Sequence, residues 1–430
     1  MDRLLLRSSP FGAETGALPI GEFEPGEEAS ARAWDALMGE DCKILVIGAG
    51  GLGCELLKDL ALSGCRDITV IDVDTIDLSN LNRQFLFRMK DVGRPKAVVA
   101  AEFIEKRVPG CKVAAHHAKI QDFDGEFYSQ FSVVVSGLDN VEARRWMNSM
   151  LCSLAEIDDD GNVIDPDTII PFVDGGTEGF KGHARVILPR HTSCFECSLD
   201  LFPPQRVFPM CTIADTPRLP EHCISYAHLL QWPQAFPDKK LDKDDPEHMK
   251  WIHERAQERA EQHQIPDVTY MLTVGVVKNV IPAVASTNAV VSAACALEVV
   301  KLVTYAGHVL NTYLMYNGVT GVYGSTMALE RRADCVVCGA PRRTFRVPAA
   351  TTLRAFIADH LGGAALKIRK PSVTHPSRVL FMQAPPALRA QTEPNLDLPL
   401  SELCADGDEL TVTDPAWGQG TALGAVIKFS

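Results

Sequence analysis

Apolar residues occur in short continuous runs, and segments of helical period separate them. Cys42-Lys43-Ile44-Leu45-Val46-Ile47 reads as a strand buried on both faces. A glycine-rich turn follows, then a helix from about Gly53 to Ser63 and a strand over Ile68–Ile71. Pro95–Arg107 reads as a helix, and Lys112–His116 and Ser132–Ser136 as two further strands. Another strand, Ile169–Val173, leads into the glycine-rich stretch Asp174–Gly182, which reads as a loop. Strands alternating with helices predict an α/β fold, a parallel sheet with helices on both faces.

The pattern changes past Leu201. Prolines crowd at 203, 204, 209, 217, 220 and 233, and charged helical sequence runs from Pro246 to Gln264. This predicts an inserted, mostly helical domain. Sheet-type sequence then returns. Ser286-Thr287-Asn288 reads as a helix N-cap, a small-residue helix reaches about Val303, and Tyr313–Tyr316 is a strand. The last segment reads as a separate unit. It has strand Phe345–Val347, helix Leu353–Leu361, strands Leu366–Arg369, Arg378–Gln383, Glu409–Val412 and Ala425–Phe429, and the short segment Leu400–Leu403. Two strands, a helix and further strands in so short a span predict a ubiquitin-like β-grasp. The domain reading is therefore 1–40 an N-terminal arm, 41–205 the first part of the sheet domain, 206–285 the insertion, 286–343 the return segment and 344–430 the C-terminal unit.

Composition narrows the functions. The formal charge of −13 argues against nonspecific nucleic-acid binding, which needs a basic surface. Val280–Val303 carries Ser286, Thr287, Asn288, Ser292, Glu298 and Lys301, so it reads as a buried helix and no membrane partner is expected. The first residues hold only three consecutive apolar side chains, and no signal peptide is expected. Thirteen cysteines, an odd number, fit a reducing compartment, with thiols as ligands, nucleophiles or core residues.

Gly48-Ala49-Gly50-Gly51-Leu52-Gly53 is a G-x-G-x-x-G turn between a strand and a helix. Such glycines allow a tight turn and close approach of phosphate to backbone amides at a helix start. Asp72, at the tip of the next strand, is placed to accept from ribose hydroxyls. The turn alone does not choose between NAD and ATP, and no P-loop motif is present. Downstream residues choose. Asp72 to Phe85 is dense in polar groups, including Asp74, Asn80, Arg83 and Gln84; Lys96 follows, and Gly137-Leu138-Asp139-Asn140 follows the Ser132–Ser136 strand. Two cations and a carboxylate at strand C-termini suit a triphosphate and magnesium. Taken singly, Arg83 and Lys96 are ordinary surface charges and Asp139 a helix cap.

Cys194-Phe195-Glu196-Cys197 and Cys335-Val336-Val337-Cys338 are two C-x-x-C pairs. That spacing lets two thiolates reach one tetrahedral zinc. The long interval between the pairs leaves a shared metal and a redox dithiol both open. Cys211 lies in Pro209-Met210-Cys211-Thr212, a stretch too proline-rich and polar for core, whereas Cys223 falls inside a helical run and reads as packed. Asp158-Asp159-Asp160-Gly161-Asn162 fails the EF-hand pattern and reads as a solvated loop. His116, His117 and His222 have no convincing ligand partners.

The run through Gln84, Phe85, Leu86 and Phe87, together with these motifs, resembles the adenylation domain of ubiquitin-like-modifier activating enzymes and their bacterial sulfur-carrier relatives. The resemblance spans about Cys42 to Cys338 and is nearest to the catalytic subunits of the neddylation type. It implies a Rossmann-like adenylation domain interrupted by a catalytic-cysteine domain, and a C-terminal β-grasp that recruits a conjugating enzyme. Carried over by motif, Gly48, Gly50, Gly51 and Gly53 cradle ATP and Asp72 holds the ribose. Asp74 belongs to the same nucleotide-binding run, and Asn80, Arg83, Gln84 and Lys96 contact mainly the phosphates. Asp139 holds magnesium. Cys211 forms the thioester, and Cys194, Cys197, Cys335 and Cys338 share one structural zinc. Arg185 matches an arginine that discriminates modifiers at their C-terminal tail.

The resemblance also implies an inactive adenylation-fold subunit as heterodimer partner, a ubiquitin-like modifier as substrate, and a cytoplasmic or nuclear location. Only one adenylation repeat is seen, where single-chain activators carry two. Four alternatives stand beside this reading. Sumoylation-type subunits usually carry a larger cysteine domain and a basic tail, of which this chain, ending at Ser430, shows neither. Sulfur-carrier adenylases lack the acidic helical insertion. A noncatalytic scaffold subunit should lack Arg83, Lys96, Asp139 and Cys211. An NAD oxidoreductase needs a catalytic base that is not placed here.

Overall fold

The computed structural model describes residues 36–39, 41–158, 161–201, 213, 217–237, 239, 241–243, 245–277, 283–304, 309–339, 342–362, 366, 368, 370–415, 417 and 422–430. The chain divides into two compact units, Met1–Leu199 with Ala283–Ser430, and Asp200–Pro282.

In the first unit the apolar run forms strand β1, Lys43–Ile47, and the glycine turn opens helix α1, Gly51–Ser63. Gly64 ends that helix in the left-handed region, at φ 118°. Strand β2 (Asp67–Ile71), helix α2 (Lys96–Arg107), strands β3 (Lys112–His116) and β4 (Val133–Ser136), and helix α3 (Val141–Leu154) follow as the alternation predicted. Asn140 caps α3 by accepting from the Ala143 amide at 2.7 Å. Strands β5 (Phe172–Glu178) and β6 (Lys181–Ile187), helix α4 (Ala285–Thr304) and strands β7 (Tyr313–Asn317) and β8 (Tyr323–Met327) complete the layer.

These strands make one eight-stranded sheet in the order β3-β2-β1-β4-β5-β6-β7-β8. β3, β2, β1, β4 and β5 are parallel, and the remaining pairings are antiparallel. The order of strands reverses between β1 and β4, and the crevice outside the carboxyl ends at such a reversal is where open α/β sheets bind ligands. Helix α4 has a mean hydropathy of 1.4 over its best window, enough by length and composition to cross a bilayer. Here it is a core helix: Val291, Cys295, Ala296 and Val299 pack in one cluster with Leu52, Leu56 and Leu60 of α1.

Three expectations need correction in this unit. Asp174–Gly182 is not a loop. Residues 172–178 and 181–187 pair as an antiparallel hairpin, turning at Gly179 with φ 57°. Glycine is required inside the strand because a Cβ at Gly175 would meet Leu52 Cδ2 at 2.8 Å and Cys295 Sγ at 2.9 Å. The strand expected over 169–173 starts only at Phe172, after a single turn of 3-10 helix over Pro166–Thr168. Ser286-Thr287-Asn288 is not an N-cap, since the helix already begins at Ala285.

The C-terminal residues form a five-stranded sheet of β9 (Arg342–Val347), β10 (Ser372–His375), β11 (Arg378–Phe381), β12 (Glu409–Thr413) and β13 (Leu423–Phe429). Its order is β11-β10-β12-β13-β9, and the first and last strands pair in parallel, as in a β-grasp. Among the described residues a single strand, not two, precedes the helix at Leu353. The strand expected over 366–369 is absent at its described positions, and Ile368 donates its amide to the Leu361 carbonyl instead.

The second unit is helical. Pro220–Tyr226, Pro246–Gln262 and Tyr270–Val277 enclose a small core of Cys223, Ile224, Trp232, Met249, Ile252 and Ala256. Asp245 caps the long helix with Pro246 at its first position. Cys223 is fully buried, as its helical context predicted, and burial pushes its thiol up. Arg259 lies over the Tyr226 ring at 3.5 Å and donates to the Ile213 carbonyl at 2.9 Å. The expected nucleophile Cys211 lies outside the described residues.

Candidate active site

Register aligns three chain segments. Ile47 pairs with Ile71 on one side and Ser136 on the other, so Gly48, Asp72 and Gly137 leave the sheet side by side. Gly48 takes φ 93°, and its carbonyl lies 1.8 Å from where a Cβ on Gly53 would stand. The first turn of α1 therefore sits directly on the strand end, with its free amides facing the crevice.

Asp72 holds this turn in shape. Its Oδ2 accepts from the Ala49 amide at 2.6 Å and its Oδ1 from the Asp74 amide at 2.7 Å. Burial raises its pKa, and the positive charge of Lys96 opposes that rise. Lys96 is buried at the start of α2, where its Nζ pairs with Asp74 Oδ2 at 2.7 Å. A cation at a helix N-terminus runs against the dipole, so the placement serves something other than helix stability. Asn80 accepts from the Asp77 amide at 3.0 Å and thereby closes the turn that delivers Arg83 and Gln84.

The stem of Arg83 packs against Gly51, and its Nη1 donates to the Ser79 carbonyl and to Asn82 Oδ1, both at 3.0 Å. A Cβ on Gly51 would contact Arg83 Cγ at 3.7 Å, and burial lowers the pKa of its guanidinium. Gln84 is 3% exposed, and its Oε1 has no hydrogen-bond partner among the described residues. An orphaned buried acceptor beside a glycine cradle is the signature of a site shaped for a ligand. Asp139 is exposed on the turn after β4, with its Oδ1 accepting from Asn140 Nδ2 at 3.2 Å. The sequence-predicted Gly48, Gly50, Gly51, Gly53, Asp72, Asp74, Asn80, Arg83, Gln84, Lys96 and Asp139 thus all stand on the segments that leave the sheet at this edge.

One member was misread in the sequence. Asn288 is buried inside the first turn of α4, and its Nδ2 lies 2.3 Å from where a Cβ on Gly51 would be. Its Oδ1 accepts from Thr177 Oγ1 at 2.6 Å, tying the turn to β5. Nothing in its local sequence distinguishes it from a cap.

The two C-x-x-C pairs meet. Cys194, Cys197, Cys335 and Cys338 place their Sγ atoms within 4.8 Å of one another. The Cys194–Cys335 and Cys197–Cys338 separations are 3.6 and 3.4 Å. Four sulfurs around zinc at 2.3 Å stand about 3.8 Å apart, so this donor set fits a tetrahedral zinc. Hydrogen bonds from Cys194 and the other thiols hold the Cys197 thiol well below its ordinary range. The surroundings are built as a ligand's outer layer is. Arg145 makes a bidentate bond to Glu196 at 2.8 and 2.6 Å, Asn148 accepts from the Phe195 amide at 2.9 Å, and the Arg332 amide points at Cys197 Sγ at 3.4 Å.

Arg185 lies on β6. It is 2% exposed, its guanidinium lies over the Phe195 and Tyr313 rings at 5.2 and 5.1 Å, and Nη2 donates to Ser198 Oγ at 2.7 Å. The loop at Asp158 is a tight Asx turn, with Asp158 Oδ1 accepting from the Asn162 amide at 2.8 Å.

A family profile decides the class of this crevice. The ThiF family matches residues 37–340. The chain belongs to the ThiF family. This is an ATP-using adenylation family. Residues 346–425 match the E2 binding domain. Among curated relatives, the NEDD8-activating enzyme E1 catalytic subunit of Dictyostelium discoideum is 50% identical, covering 100% of this chain and 96% of its own. The Nedd8-activating enzyme E1 catalytic subunit of Drosophila melanogaster is 51% identical over 96% of this chain and 93% of its own. SUMO-activating enzyme subunit 2 of D. discoideum is 43% identical, over 44% of this chain and 27% of its own.

Proposed function

We propose that this chain is the catalytic half of a NEDD8-type activating enzyme, forming a modifier acyl-adenylate and then a modifier thioester. The observation that carries the reading is the placement of Arg83 and Gln84 against the glycine cradle, with Lys96 paired to Asp74 and its charge acting on Asp72, at the sheet's reversal point. Hydride transfer has no use for two fixed cations there, whereas a triphosphate does. Relatives named for NEDD8 activation match end to end, while the SUMO-type relative matches under half of the chain, which favours the neddylation type.

In the first step the modifier's terminal carboxylate attacks the α-phosphorus of ATP. The bond from that phosphorus to the bridging oxygen breaks, and pyrophosphate leaves with the electron pair. Arg83 and Lys96 offset the charge that gathers on the phosphates, the α1 amides hold them, and Asp72 orients the ribose. Asp139 would hold magnesium, which supplies further charge neutralisation when bound. In the second step the Cys211 thiolate attacks the acyl carbon and AMP departs. Its proton passes to solvent. The acyl phosphate is electrophilic enough that a modest thiolate fraction suffices, free cysteine having a pKa of about 8.5. The conjugating enzyme, recruited through residues 346–425, takes the acyl group by transthiolation.

The zinc is structural, joining the turn at Cys194 to the segment after β8. Arg185, bonded to that turn through Ser198, is the residue that discriminates modifiers at their C-terminal tail. An inactive adenylation-fold subunit is the partner, and thiol-rich sites of this kind suit the reducing cytoplasm or nucleus. The test uses the heterodimer with MgATP and NEDD8, on gels without reductant. Cys211→Ala is expected to retain ATP–pyrophosphate exchange and to form no thiol-labile adduct. A surviving adduct would move the nucleophile elsewhere.

A further inference from the structure

Helix α3 begins immediately after the turn that carries Asp139, and its fourth residue, Arg144, is buried beneath that turn. The guanidinium bonds in three directions. Nε donates to Asp174 Oδ1 at 3.0 Å, and Nη2 donates to the Leu138 carbonyl at 2.5 Å and to the Gly175 carbonyl at 2.9 Å. It therefore ties the Asp139 turn to β5 from below.

The anchor for this tie is itself fixed. Asp174 is fully buried, accepts from Ser136 Oγ at 2.7 Å, and faces His183 Nε2 at 3.5 Å. Burial alone would raise its pKa; Arg144, His183 and Arg185 outweigh that and hold it well below the carboxylate range. Room for the guanidinium comes from a glycine. A Cβ on Gly176 would stand 2.7 Å from Arg144 Nη2 and 2.4 Å from His183 Cε1. The glycines of this strand thus clear space on one side for a buried cation.

We propose that Arg144 is a positioning residue for the magnesium carboxylate. A peptide unit is planar, so fixing the Leu138 carbonyl fixes the Asp139 amide and the start of its side chain. The Gly137 amide already donates to the Ile47 carbonyl at 2.9 Å, and Asn140 is held as the α3 cap. Leu138 is the point between them where side-chain charge sets the orientation of the turn. This rests on the assignment of Asp139 to magnesium, and outer partners of that kind typically change metal affinity about 10–100-fold when removed.

The experiment measures the magnesium concentration for half-maximal ATP–pyrophosphate exchange, and in parallel ATP-dependent binding of Mn2+ by electron paramagnetic resonance. Both use the heterodimer. Arg144→Lys keeps the charge, but its single nitrogen cannot make the bonds that Nε and Nη2 make from separate positions on a planar guanidinium. It is expected to raise the magnesium midpoint and weaken Mn2+ binding by about tenfold or more. Arg145→Lys, one residue on and equally buried beside Glu196, is expected to lower stability without moving either midpoint. In an Asp139→Asn background the Arg144→Lys shift should vanish. Should Arg144→Lys not fold, Asp174→Asn reads the same quantities with an isosteric side chain.

Unmoved midpoints in a folded Arg144→Lys protein would overturn the proposal while leaving the function intact. An Asp139→Asn protein with wild-type magnesium dependence would overturn both.

Discussion

Gly53 carries more of the site than its size suggests. The carbonyl of Gly48 occupies the place of any Cβ there, at 1.8 Å, and a backbone oxygen cannot step aside as a side-chain end can. Gly53→Ala must lift α1 off the strand end and rotate the amides away from the phosphates. The expected cost is about 1–3 kcal/mol of stability from overpacking, with a loss of ATP affinity beyond what that implies. Chemical denaturation and nucleotide titration on one preparation check the two effects. An alanine protein that binds ATP normally would mean the phosphates do not use these amides. Most site residues were legible because their role is local. The glycines, Asp72 and Lys96 each sit at a junction of strand and helix that the apolar pattern locates. Asn288 and Arg144 were not, because their roles come from contacts across the sheet. Asn288 meets Gly51 and Arg144 meets Asp174 only once the chain has folded. The aromatic rings that enclose Arg185 were likewise not legible.

At the scale of elements, helix α3 joins two centres. Asn140 and Arg144 at its start hold the Asp139 turn, while Arg145 and Asn148 hold the turn of Cys194–Cys197. The four thiols come from segments far apart in sequence, so a metal held by them would close a long loop. Cys335→Ser is expected to lower the zinc content per heterodimer, read by atomic absorption. The melting midpoint should fall about 2–4 °C per kcal/mol lost for a unit of this size. Full zinc content and an unchanged midpoint would show that the cluster is not the metal site. Strands with continuous apolar runs, such as β1 and β4, were readable from the sequence because both faces are buried. The β5–β6 hairpin was not. Gly175 and Gly176 mimic a loop in composition, and only the neighbouring Leu52, Cys295 and His183 explain why a strand needs them. The C-terminal sheet was readable as a class. Its strand order was not, because pairing depends on non-local contacts.

The whole molecule separates activation from handover. Nucleotide chemistry belongs to the eight-stranded sheet, and the E2-binding match lies wholly in residues 346–425. Removing those residues from the heterodimer is expected to leave ATP–pyrophosphate exchange and the thioester at Cys211. It should slow transfer to the conjugating enzyme, measured by chasing a preformed thioester. Undiminished transfer would place the recruiting surface elsewhere. The change of pattern past Leu201 marks a separate unit in the sequence, and the chain does divide there. The most direct test of the central claim is modifier-dependent ATP–pyrophosphate exchange by the heterodimer. Exchange that requires NEDD8 with an intact terminal carboxylate, and that falls to background in Lys96→Ala, is the predicted result. Exchange that ignores the modifier, or a crevice that binds NAD and returns no pyrophosphate into ATP, would contradict it.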